Sequence, residues 1–207
     1  MFELCRVILR LIHKMAQAPT NHLFLFSKLD LKDGYWRMVV SKKDAWNFAY
    51  VLPSTDPTHP PQLVIPHSLQ MGWSESPQFF WAATQTARDV AETTLQHNIP
   101  QQEHPMEHTV MNFPWHTLEH DPPKTISTTL EVYINNFITM VQLNDPTHFR
   151  KVVRHLLHAI DNTFPGPDIL GSGMDPAIST KKLELEGQCD TAKEILGWLF
   201  DSINRTF

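Results

Sequence analysis

Apolar residues in this chain fall into short runs separated by polar, proline-rich stretches. From Phe2 to Met15, the residues Cys5, Ile8, Leu9, Leu11, Ile12 and Met15 recur near helical spacing. Charged residues interrupt them, and Pro19 ends the pattern, so the segment reads as an amphipathic helix. LFLFSKL (residues 23–29) is a continuous apolar run suited to a buried strand ending at Asp30. Two further short strands are expected at Asn47–Leu52 and Leu63–His67, joined by the loop PSTDPTHPP. Pro77, with Ser76 as N-cap, opens a helix to about Leu95 that carries Phe80, Ala83, Thr84, Ala87, Val90 and Ala91 on one side.

Residues 97–125 lack periodicity and are rich in Pro and His, so they read as a surface excursion. Leu130–Ile134 and Phe137–Val141 form a hairpin with Asn135-Asn136 at its tip. Asp145–Phe164 is an amphipathic helix, with Asp145 or Thr147 near its cap and Val152, Val153, Leu156, Leu157 and Ile160 inward. A Gly/Pro-rich loop runs through Pro176, and Ile178–Leu185 and Ile195–Phe200 close the chain as strands. This order predicts an α+β fold, an antiparallel sheet with helices packed on one face.

The 207 residues, 42% hydrophobic and 10% aromatic, suit one globular domain rather than a disordered chain. No apolar run approaches the ~20 residues that span a bilayer, and the N-terminal pattern is too interrupted for a signal peptide. The expected setting is intracellular, cytoplasmic or nuclear, without membrane contact. Two cysteines, Cys5 and Cys189, make no disulfide framework and read as reduced thiols. A formal net charge of −5 argues against strong nucleic-acid binding by the chain alone, because phosphate contacts need clustered Lys and Arg.

Three blocks carry candidate chemistry. In FSKLDLKDGYW (residues 26–36) a strand delivers Asp30 to its end, and a turn with Gly34 and Tyr35 follows. In SLQMGWSESPQFF (residues 68–80) Gly72 permits close backbone approach ahead of the Ser76-Pro77 helix start. LEVYINNFITMV (residues 130–141) places Tyr133, Ile134, Asn135 and Asn136 around a turn. In this order the blocks resemble those of reverse transcriptases, the RNA-directed DNA polymerases, and more closely those of retrotransposon polyproteins.

The resemblance covers roughly residues 23–207 and implies a polymerase palm with partial fingers, residues 1–22 being a helical fingers remnant. It implies that Asp30 holds Mg2+, that Tyr35 gates against a ribose 2′-hydroxyl, and that Gln70, Met71 and Gly72 pack on the incoming nucleotide. Lys181 and Lys182 resemble the lysine block behind the nucleotide, and Leu196-Gly197-Trp198 the primer grip. The implied partners are an RNA or DNA template-primer and a dNTP. Further fingers, a thumb and a nuclease domain are expected in a larger polyprotein.

Asn135 and Asn136 stand where the family carries its paired aspartates. Two-metal nucleotidyl transfer needs bridging carboxylates, and an asparagine offers only a neutral carbonyl oxygen. Two of three catalytic carboxylates are therefore missing, and a catalytically dead domain is the expectation. Two acids could substitute: Glu131 shares a strand face with Asn135 but sits about 7 Å back from it, and Asp33, one turn past Asp30, reads as a solvated turn residue. The competing expectations are a non-catalytic nucleic-acid- or protein-binding module and an eroded retrotransposon fragment. His97, His104, His108, His116 and His120 crowd the excursion with Glu103, Glu107 and Glu119. HPMEH (residues 104–108) has zinc-like spacing, but Pro105 breaks the helix such a site needs, and these histidines read as solvated.

Overall fold

The computed structural model describes residues 6–54, 58, 60–113, 127–142, 146–164 and 175–207. The start of the N-terminal helix, Cys5, His116, Glu119, His120 and Asp145 lie outside the described residues. Strand β1 (Phe24–Asp30) realises the apolar run and is buried along nearly its whole length. A hairpin of β4 (Thr128–Tyr133) and β5 (Asn136–Gln142) adds to it as an antiparallel sheet ordered β1–β5–β4. Register sets Phe24 opposite Gln142 at one end and Asp30 opposite Asn136 at the other. Asn136 also faces Tyr133 across the second ladder.

Helices lie on both faces of this sheet rather than on one. Leu25, Leu29, Leu130, Val132, Phe137 and Val141 join the core beneath α2 (Ser76–Gln96) and α4 (Pro146–Thr163). Phe24, Phe26, Ile138 and Met140 pack instead against α1 (Val7–Gln17), through Val7, Leu11 and Met15. The cause is in β1 itself. Its apolar run leaves no wet face, and each buried Phe is worth roughly 1.5–3 kcal/mol of transfer free energy. Arg10, on the flank of α1, donates to both carboxylate oxygens of buried Glu131 at 2.6 Å.

Several expected elements take another form. Strands β2 (Tyr50–Leu52) and β3 (Gln62–Val64) are shorter than expected and pair as a separate ribbon, while Ala45–Phe48 is a 3-10 turn. Ser76 is no N-cap: it lies inside the first turn of α2, and its Oγ donates to Gln70 O at 2.6 Å. Val90 is 38% exposed, at the margin of the apolar face of α2. Ile178 makes one antiparallel bridge with Leu31, after which Thr180–Lys182 and Leu183–Gly187 coil as a helical turn and a π-helical turn. Alternating apolar and acidic residues in LEL mimicked a strand. The segment 195–200 is two strands, β6 (Ala192–Ile195) and β7 (Trp198–Asp201), because Leu196 and Gly197 take positive φ and fold the chain back.

The described part of the excursion is packed. A short helix, α3 (Glu107–Val110), buries Glu107 and Val110. Arg154 of α4 grips Glu107 through Nε and Nη2, both at 2.8 Å. His104 is 5% exposed, not solvated, and its Nε2 lies 2.9 Å from Asp161 Oδ2. Met106 N–H donates to His104 Nδ1, so the proton sits on Nε2 and points at Asp161. A buried ion pair supplies the hold that apolar periodicity lacked.

Candidate functional site

Strand pairing brings Asp30, Asn135 and Asn136 to one edge of the sheet. Leu31 N–H donates to Asn135 O at 2.9 Å and carries the ladder one step past the end of β1. The two turn residues are Ile134 and Asn135, and the left-handed conformation falls on Ile134 (φ 55°) rather than on either asparagine. Asn136 is already the first residue of β5. Register is the cause: Asn136 must pair with both Tyr133 and Asp30, which pushes the tip one residue toward the N-terminus. A β-branched residue at positive φ is strained by about 1–3 kcal/mol.

The three side chains form a directed chain of hydrogen bonds. Asn136 Nδ2 donates to Asn135 Oδ1 at 3.1 Å, and Asn135 Nδ2 donates to Asp30 Oδ2 at 3.0 Å. Lys182 Nζ completes it, 2.8 Å from the same Asp30 oxygen. Asp30 is 8% exposed. Ser179 positions the lysine: its N–H donates to Asp30 O at 2.9 Å, and its Oγ accepts from Lys182 N across the turn. Sequence reasoning grouped Lys182 with the nucleotide contacts but missed Ser179, although Ser before Thr-Lys-Lys is an N-cap pattern.

A cavity of about 430 Å³ opens above this chain, lined by Asp30, Lys32, Tyr35, Met71, Asn135 and Lys182 among others. Its aromatic wall is fixed by the absence of a side chain at Gly34, where a Cβ would come within 2.3 Å of Phe80 Cζ. Tyr35 consequently rests against Phe80, ring centroids 4.7 Å apart, and burial raises its phenol pKa above the ordinary value. Beside the cavity, Arg37 fastens the turn after β1 to residues 175–176 by donating to Lys32 O, Asp175 O and Pro176 O at 2.6–2.7 Å. No protein-family model matches this sequence, and no curated protein does.

The remaining candidates do not gather here. Gln70 turns back to donate to Ser68 O, and Gly72, at φ 97°, has open space where a Cβ would stand. Lys181 does not line the cavity, and neither do Leu196, Gly197 and Trp198. The last three form the β6–β7 turn on the α1 side of the sheet, with Leu196 against that core and Trp198 half exposed. Asp33, at φ 56°, is an exposed residue at the cavity mouth, and Glu131 is held by Arg10. Neither is among the side chains bonded to Asp30.

The donor set does not fit magnesium. A divalent cation requires oxygens aimed at it, preferably charged. Here an amide N–H and an ammonium both point at Asp30 Oδ2, and the Asn135 carbonyl is taken by Asn136. Flipping the Asn135 amide would set its oxygen against the Asp30 carboxylate, so the assigned orientation is the favourable one. Among the described residues no group of three or more His, Cys, Asp and Glu could hold a metal, and no helix is long and apolar enough to cross a membrane.

Proposed function

We propose that this chain is a reverse-transcriptase-like palm with partial fingers, derived from a retrotransposon polyprotein, in which a metal-free polar network has replaced the two-metal centre. The domain does not polymerise. What it keeps is a binding cavity at the sheet edge, lined by cations and an aromatic ring. One observation carries the reading: Asp30 Oδ2 accepts from both Asn135 and Lys182, so its negative charge is compensated from within the protein. The palm assignment draws its support from the ordered blocks at residues 26–36, 68–80 and 130–141. The pairing of Asp30 with Asn136 in a β1–β5–β4 sheet agrees with it.

Primer extension tests the proposal directly. The chain and its Asn135→Asp/Asn136→Asp variant are assayed on a template-primer with dNTPs, in magnesium and in manganese. The expected result is no extension by the parent with either ion. Templated extension by the parent with either ion overturns it.

A further inference from the structure

Away from the Asp30 edge, α4 and the loop after α2 enclose a second cavity of about 340 Å³. Arg150, Lys151, Arg154 and His155 line it from α4, with Asn98 and Gln101 from the loop. Arg150 and Lys151 stand side by side in the second turn of α4, an 18-residue helix. Among the described residues two carboxylates stand against the three cations Arg150, Lys151 and Arg154, which leaves one positive charge in excess. Glu107 is committed to Arg154 and lies 3.9 Å from Arg150, while Glu103, 65% exposed, reaches Arg154 at 3.6 Å. Lys151 bonds to the neutral carbonyl oxygen of Asn98.

His155 reports the field inside the cavity. Thr94 Oγ1 donates to Ala91 O, so at 2.9 Å from His155 Nδ1 it accepts. Nδ1 therefore carries the proton, and Nε2 is the nitrogen left to gain one. The pKa of His155 is lowered by burial first and then by Lys151, His158 and Arg154, every charged contributor being positive. Thr94 faces the ring from α2, and the nearby Glu103 and Glu107 are paired with Arg154.

We propose that this cavity is a binding site for a phosphate-class anion, held by Arg150 and Lys151 beside His155 Nε2. A tetrahedral oxyanion fits the volume, offers acceptors to an Arg fork and an ammonium, and compensates the excess positive charge. Its binding is linked to protonation of His155, since each favours the other.

The test follows the His155 ring resonances of the whole chain during titration with inorganic phosphate at constant ionic strength. Saturable shifts and a raised His155 pKa are expected, and Arg150→Gln/Lys151→Gln should weaken the apparent affinity roughly tenfold or more. Both replaced side chains are at least partly solvent-accessible, and the parent titration stands without the variant. Glycerol 3-phosphate and phosphatidic-acid vesicles form two further arms. Tighter binding of the ester assigns a soluble ligand, and tighter binding of the vesicles a lipid headgroup. The site is refuted if phosphate causes no saturable shift, if chloride reproduces it, or if the double variant binds as the parent does.

Discussion

Lys182 Nζ lies 2.8 Å from Asp30 Oδ2, across a buried carboxylate that also accepts a hydrogen bond from Asn135. The lysine comes from the turn after Ile178, which Ser179 fastens to the end of β1. A strand end, a hairpin turn and a helical turn thus meet on one oxygen atom.

Removing the lysine should cost little, because its side chain is 48% exposed. Lys182→Ala is expected to lose less than about 1 kcal/mol in denaturant melts, with the difference shrinking toward 1 M salt. The Asn135 hydrogen bond continues to satisfy Asp30 in that variant. A loss that salt leaves unchanged would mean that packing, not charge, holds Lys182 in place.

Ile134 supplies a test of strain in the hairpin. At φ 55° an alanine keeps the steric penalty of a Cβ while a glycine does not. Ile134→Gly should therefore be more stable than Ile134→Ala by about 1 kcal/mol, reversing their usual order within regular structure. Both lose the packing of Ile134 against the core, so their difference isolates the backbone term. Equal melting of the two variants would show that the turn relaxes without cost.

The buried pair of Glu107 and Arg154 predicts a pH dependence. Hydrogen bonding from Arg154 holds the Glu107 carboxyl below its ordinary value near 4.5, against the opposing effect of burial. Its folded pKa being depressed, it contributes stability that is complete above the unfolded value and is lost as pH falls through the folded one. Glu107→Gln should cost about 3 kcal/mol near neutral pH and flatten the fall in stability below pH ~4.5. Parallel pH-dependent melts check both statements, and an unchanged acid limb would assign the fall to other carboxylates.

The sheet was legible because its apolar runs left few choices, and β1 ends at Asp30 as its last apolar residues require. The tip of the hairpin was not. Asn favours turns locally, yet a double register at Asn136 outweighed that preference and placed Ile134 where glycine or asparagine would be comfortable. The packing of His104 and Glu107 escaped notice because a buried ion pair looks polar in a sequence, and its partner Arg154 lies 47 residues away. The convergence of Asp30 with Asn135 and Asn136 followed from the ordered blocks. The counter-charge from Lys182 did not, since the alternation in Ile178–Leu185 concealed a helical turn.

Magnesium-dependent stability is the most direct measure of the central claim, that Asp30 and two asparagines form a closed network with no use for a metal. The chain and Asn135→Asp/Asn136→Asp are melted in denaturant with and without magnesium. Without metal, the double variant should be less stable by about 1 kcal/mol near neutral pH, because three carboxylates then converge and Lys182 offsets one of them. Magnesium should restore part of that loss in the variant and leave the parent unchanged, since a cation stabilises only the form that binds it. Equal stabilisation of both proteins by magnesium would contradict the account, because Asp30 and its neighbours would then already form a metal site.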